Sequence, residues 1–556
     1  MHLCSLRHVI FHAAIVVFLT GCGSSSQNNL NDSAGNGIQA PSSQSITLNA
    51  SSTVDSTKGA FLVTFNKGAQ AAWTATSDRS WLVLGKAGDS GAGSLPYSLD
   101  LAQISNLPSG SKDIATITIN ANGLTSVTTQ VRLEMNLPDV TMVQPALLAP
   151  GSSSQFRVYG RGFSQLASGS AFSVAGISDV NGTILSDQQA VLQVGPLTVG
   201  HHAVFVSPVA GLSGASADLV VATPISLPHA SISLDELGEG VSSVVFDPAR
   251  TAIFIANNST NTLDRYTWSA GAWNKASVPV ASILELNLSF DRKSLYVTAR
   301  PHNLFIFDPD TLTIKETFTS TFAQSFSLYG QGLQLTSNNR IWMFGSQWTQ
   351  GYSFDLTRHE FGFWQGPESL YSPMAKASGD GSVMAVSSEG ISPPQFGSLY
   401  TSASDSVKAL DPVAFSDISF SFDGSRMILN GLQAYDTHTL KLLGQIPIQS
   451  NYIFRAVLAC DGTLAYCPIL TDSSTEIDVY DLNQTEPLTG NFVKLGTFSS
   501  PDPIGSLYYV DHPLFFISSM GDTLFLSGHG KLLILPIPTN LAKPITSARL
   551  VKIPNP

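Results

Sequence analysis

Ser90 lies in the run GDSGAG (Gly88 to Gly93), a serine set between glycines in the way an exposed nucleophile requires. Such a serine also needs a histidine base and a carboxylate to orient that base. The surrounding region holds no histidine, so the glycines read as a turn. His201 and His202 are adjacent, and on a strand they point to opposite faces and cannot chelate one metal together. Cys460 and Cys467 flank the run DGTLAY. A tight turn at Asp461-Gly462 leaves Cys467 farther along its strand than Cys460 can reach, at about 3.3 Å per residue. The expectation is two buried thiols, with a disulfide open only to a bulged loop. Arg300 beside His302 could clamp an anion, and Trp348, in the polar run GSQWTQG, could stack on a sugar or a peptide. A solvated loop pair and a packed indole are the plainer alternatives. Asn258 joins these three as a candidate ligand-binding residue. The sequence shows no histidine cluster with metal-ligand spacing and no phosphate-cradling glycine loop. No catalytic residue, metal ligand or cofactor is assigned.

One cysteine has a clearer chemistry. Residues 1–21 carry Arg7 and then the apolar run Val9 to Leu19, too short to stay in a bilayer as a span. The run ends in LTGC (Leu19, Thr20, Gly21, Cys22), which resembles the lipobox of bacterial lipoproteins. That resemblance implies cleavage before Cys22 and a diacylglyceryl group on its sulfur, with the membrane as a partner through the lipid. Gly23 and Ser24 follow, rather than aspartate, which among such lipoproteins implies the outer membrane. Residues 22–45 are rich in Gly, Ser and Asn and read as a flexible tether.

These candidates must be positioned by an all-β chain. From His229 to Asn540 one pattern comes round seven times: an alternating apolar run, a polar turn, and a second apolar run. LNLSFDRKSLYVTAR from Leu286 and ISFSFDGSRMILNG from Ile418 are its plainest copies. This is the grammar of a β-hairpin. The turn residues Asp247, Asp291, Asn338, Asp380, Asp423, Asp461 and Asp511 are 38 to 50 residues apart and average 264/6 = 44, the length of a four-stranded propeller blade. Several units continue with a third strand ending in Asp, as in LFIFDPDT from Leu304. The order resembles the YVTN-type and Lgl-like seven-bladed β-propellers, which implies residues 229–540 as such a propeller and 541–556 as a tail. The run HASISLDEL (His229 to Leu237) is expected to pair with the last blade and close the ring.

Ahead of the propeller, two stretches read as β-sandwiches. Residues 46–136 hold seven short alternating strands, and WTATSDRSWLVLGKAGDSGAG from Trp73 resembles the BACON domain, an Ig-like module for which carbohydrate binding has been inferred. Trp73 and Trp81 could then stack on a sugar, although each sits in an apolar strand and reads as core. Residues 138–222 open with PDVTMVQPALLAPGSSSQFRVYGRGF, similar to an IPT/TIG Ig-like domain. The fold class expected is therefore two Ig-like β-sandwiches followed by a seven-bladed β-propeller.

Charged residues make up only 12% of the chain, and 28 basic residues face 40 acidic ones for a net charge of −12. With no basic cluster, nucleic acid is not expected as a partner. The functional expectation is an envelope lipoprotein that binds a protein or glycan partner through the propeller. The alternative is a propeller enzyme of the lactonase, hydrolase or dehydrogenase-subunit type with its site in the central funnel.

Overall fold

Some strands of this protein alternate apolar and polar residues, as Val127–Asn136 does, and others, such as Leu295–Ala299, are buried on both faces, so each has one or two faces to bury against another sheet. The computed structural model describes residues 37–543 apart from 67–69, 106–109, 152, 209–210, 224–226, 234–240, 322–332, 345–350, 365, 367–369, 371–372, 389–396, 411–414, 416, 448–454, 471–472, 501, 505–513 and 529. The described residues fall into two units, one built on residues up to 48, 53–106 and 112–134, the other on 49–52, 107–111 and the chain from 135 onward.

The first unit has a four-stranded sheet and a five-stranded sheet. The seven expected strands are present, joined by two short ones, Ile38–Gln39 and Gly88–Ser90. Ile38–Gln39 falls inside the stretch read as tether. Ile38 pairs with Phe65 and is buried, so the folded part begins before Ile46. A single apolar residue among Gly, Ser and Asn carries no periodicity, which is why the strand was not visible in the sequence. Trp73 and Trp81 are buried at 2% and 5% exposure, and their indole N–H groups donate to the Gly91 carbonyl and Asp113 Oδ2 at 3.0 and 2.9 Å. Neither ring face is open to a sugar. Ser90 ends an edge strand beside Asp89, whose carboxyl is held below its ordinary range by Lys86.

The second unit opens with two four-stranded sheets that share one core, including Val140, Phe156 and Leu192 from one sheet and Phe172, Val204 and Leu219 from the other. The glycine pair there has two separate roles. Gly162 takes φ +76°, and a Cβ on Gly160 would overlap the Asp139 carbonyl. His202 is buried, with its ring nitrogens on the Ala175 and Thr198 carbonyls, whereas His201 faces outward to Asp218 at 3.1 Å.

Seven four-stranded antiparallel sheets follow, forming a β-propeller-type arrangement. Their first strands are Val241–Asp247, Ile283–Leu288, Gln334–Thr336, Pro373–Ala377, Ile418–Phe420, Val457–Leu458 and Phe515–Ile517. Every neighbouring pair of sheets shares an apolar cluster, from Phe254 with Leu286 between the first and second to Ile255 with Ile534 between the seventh and first. The seventh sheet is completed by Ala230–Ser233, which pairs antiparallel with Lys531–Pro536 as its sequence suggested.

The hairpin turns explain the recurring acid. Ser289, Ser378 and Ser421 donate to Oδ1 of Asp291, Asp380 and Asp423 at 2.6, 2.7 and 2.8 Å. Each Oδ1 also accepts the backbone N–H two residues on, at 2.9 to 3.1 Å. The acid thus replaces backbone partners that the turn cannot supply. The seventh turn differs from expectation. Phe515–Ile517 is a first strand, paired with Thr523–Gly528, so the turn spans Ser518 to Asp522 and not Asp511. Asp511 lies outside the described residues. The misreading arose because the acid here closes the turn instead of opening it, with Ser518 Oγ donating to Asp522 Oδ1.

Candidate functional site: the central channel

The first strands of all seven sheets line one cavity of about 310 Å³. Gln144, Pro145, Ala146 and Leu147 of the preceding two-sheet domain line it as well, on the side of the hairpin turns. That domain packs on the turn face: Phe290 joins its core, and Lys293 Nζ lies 2.7 Å from Asp218 Oδ2. Tyr159 of the same domain is buried deeply enough that its phenol is pushed above the usual range, with Asp380 and Asp423 pushing the same way.

Counting back from the turn residue places side chains at comparable heights in the channel. Four residues back stand Ser243, Asn287, Gln334 and Ser419, and each staples its sheet to the next. Ser243 Oγ donates to the Leu286 carbonyl at 3.0 Å, and Asn287 Nδ2 to the Leu333 carbonyl at 3.2 Å. Gln334 Oε1 accepts the Ala377 N–H at 2.9 Å, and Ser419 Oγ the Leu458 N–H at 3.0 Å. In the fourth sheet this position is Lys376. Six residues back stand Glu285, Asp417 and Arg455. All four charged residues line the cavity.

Burial, the largest effect, pulls the Lys376 ammonium below the usual lysine range. Asp417 raises it again, Arg455 lowers it, and Glu285 raises it. Glu285 Oε2 accepts the Leu333 N–H. Nearer the turns, Arg292 also lines the cavity, its guanidinium lowered by burial and partly restored by Asp247 and Asp291. Its Nη2 donates to Ser519 Oγ at 3.2 Å, and its buried Nε has no hydrogen-bond partner among the described residues. Cys460 lines the cavity beside the turns; burial pushes its thiol up to about 12, and Cys467 is a second buried thiol.

The residues singled out in the sequence lie elsewhere. Asn258 sits in the turn after the second strand of the first sheet, half-buried, its Oδ1 without a hydrogen-bond partner among the described residues. Arg300 is exposed and His302 half-buried in the corresponding turn of the second sheet, where the His302 carbonyl accepts the Ser320 N–H at 3.0 Å. None of the three lines the channel. Cys22 and Trp348 lie outside the described residues. Trp342 and Trp364 are packed between sheets, their rings at right angles and their centroids 5.3 Å apart. The channel charges were the missed residues. Their signal was a charge inside an otherwise apolar first strand, as in MAKAS around Lys376.

Among the described residues no group of three or more His, Cys, Asp or Glu could hold a metal ion. No described helix is long and apolar enough to cross a membrane.

No protein-family profile and no curated protein matches the chain. Solved structures similar to it include U3-55K, at 12% identity and a TM-score of 0.40 over 55% of this chain and 98% of the other. The RRP9 WD40 repeats are similar at 12% and 0.39, over 55% and 97%. Kuenenia stuttgartiensis hydrazine synthase is similar at 13% and 0.40, over 54% and 96%. These likenesses are remote.

Proposed function

We propose that this chain is a membrane-anchored binding protein of the bacterial cell envelope, in which two Ig-like sandwiches, BACON-like and IPT/TIG-like, carry a seven-bladed propeller that docks a protein partner. The anchor would be lipid on Cys22, and the membrane the outer one. The observation that carries the reading is the covered turn face. The Asp218–Lys293 ion pair and the burial of Phe290 commit that face to the chain's own second domain. A partner is then left the opposite face, where the loops after the second strands carry Asn258, Arg300 and His302; Trp348, outside the described residues, is the sequence's aromatic candidate. Trp73 and Trp81 are buried, so a protein is favoured over a glycan as the partner.

The test is affinity capture with the full chain from membranes of its own source. An Arg300→Ala/Trp348→Ala double variant should lose a partner that the parent retains, and Lys293→Ala should keep it. Equal capture by the parent and the double variant would sink the reading. Cys22→Ser should release the protein from the membrane fraction; if it stays, the lipid anchor is wrong. The enzyme reading keeps one specific observation, the convergence of Glu285, Asp417 and Lys376 on the channel. A screen of lactone and ester hydrolysis, with Glu285→Gln as the control, tests it.

A further inference from the structure

Within the repeat, position four before the turn is a neutral staple in the first, second, third and fifth sheets, and a cation in the fourth. Lys376 makes no staple to the fifth sheet. Neither its ammonium nor the Arg455 guanidinium has a hydrogen bond or close ion pair among the described residues. Glu285, by contrast, is engaged by the Leu333 N–H. Among the described residues both cations thus face the cavity without a hydrogen bond, and burial lowers the Lys376 pKa although Asp417 and Glu285 act against it.

A buried cation without a partner is unstable unless it loses its proton or meets an anion. Lys376 four residues and Arg455 six residues before their turns stand at successive levels of the same channel and together match a carboxylate, which an arginine and a lysine can share through charge-assisted bonds. The rest of the wall is mixed, with Leu286, Leu335, Ile418 and Phe516 standing beside Ser243, Asn287, Gln334 and Ser419. The volume of about 310 Å³ sits at the lower end for small-molecule pockets, roughly 300–1,000 Å³. We infer that the central channel binds a small organic carboxylate, its charged end on Lys376 and Arg455 and its apolar body along the channel wall. Asp417 and Glu285 weaken the site for an anion and so limit it to ligands that also bury apolar surface. This site is separate from the protein-docking face.

The experiment is calorimetric titration of the purified full chain with benzoate, hexanoate, acetate and inorganic phosphate. Benzoate or hexanoate should bind saturably, and acetate and phosphate at least about tenfold more weakly, since neither can fill the apolar part. Lys376→Met and Arg455→Met should each weaken the carboxylate about tenfold or more, while Lys376→Arg retains it. Asp417→Asn should tighten binding, a gain that no folding defect can mimic. Absence of saturable binding by benzoate and hexanoate would overturn the inference. So would phosphate binding as tightly as they do, or affinity that ignores both Lys376→Met and Asp417→Asn.

Discussion

Ala230 and Ile534 face one another across an antiparallel ladder although 534 − 230 = 304 residues separate them in the chain. This pairing makes an N-terminal strand the outermost element of the last sheet. It also converts a row of sheets into a ring whose seventh and first members share an apolar cluster that includes Ile232, Phe246 and Ile255. Without it, Lys531–Pro536 would be an exposed edge.

Loss of the closing contact should therefore destabilise the whole ring. Ile232 is 5% exposed. Ile232→Ala should cost about 2–4 kcal/mol, the usual range for truncating a buried aliphatic side chain. Urea unfolding of the full chain checks this, and a cost below about 0.5 kcal/mol, a surface-substitution value, would mean that the strand adds little.

Docking of the second domain on the turn face rests on apolar contact more than on charge. The Lys293–Asp218 pair is half-exposed on the lysine side, and Lys293→Ala should change stability by no more than about 1 kcal/mol. Phe290→Ala removes a ring from the shared core and should cost about 2–3 kcal/mol. In calorimetry that variant should separate the unfolding of the domain from that of the propeller, or lower their common transition well beyond Lys293→Ala.

Lys376 should lower stability at neutral pH. Burial sets its folded pKa below its unfolded value, so the unfolded chain holds the proton more firmly. The penalty is full below the folded pKa and vanishes as pH rises to the ordinary lysine value of about 10.4. Lys376→Met should therefore be more stable than the parent near pH 7, by about 1–2 kcal/mol. The gap should narrow as pH rises towards about 10. Thermal melts across that range decide it, and a destabilised variant at pH 7 would show that the lysine is a structural staple after all.

The Cys460 thiol should resist modification while the ring is folded. Its pKa is pushed from 9.0 up to about 12 by burial, with Asp461 and Asp522 adding to the shift. At pH 8 the thiolate fraction then falls about a thousandfold, and reaction with a disulfide reagent slows accordingly. In the Cys22→Ser protein, Cys460 and Cys467 should react only on adding denaturant. Fast labelling of the native protein would contradict their burial.

Much of the propeller was legible along the chain because its determinants are local. Ser-x-Asp turns such as Ser421 to Asp423 close within a few residues, and strands such as Leu295–Ala299 are apolar on both faces because a sheet lies on either side. The seventh turn was misplaced because Asp522 closes its turn from the far end, a variation no spacing rule anticipates. Ile38 was missed because one buried residue has no period to betray it. The covering of the turn face and the gathering of Glu285, Lys376, Asp417 and Arg455 were not legible at all. Those four residues span 455 − 285 = 170 positions, and each alone is one charged residue within or just before a short first strand. Sequence alone determines the hairpins, the acid-capped turns and the two-sided strands, since each is settled by neighbours in the chain. Tertiary structure decides which ends meet, which face is covered and which charges share the channel, because only ring closure brings such distant strands to a common axis.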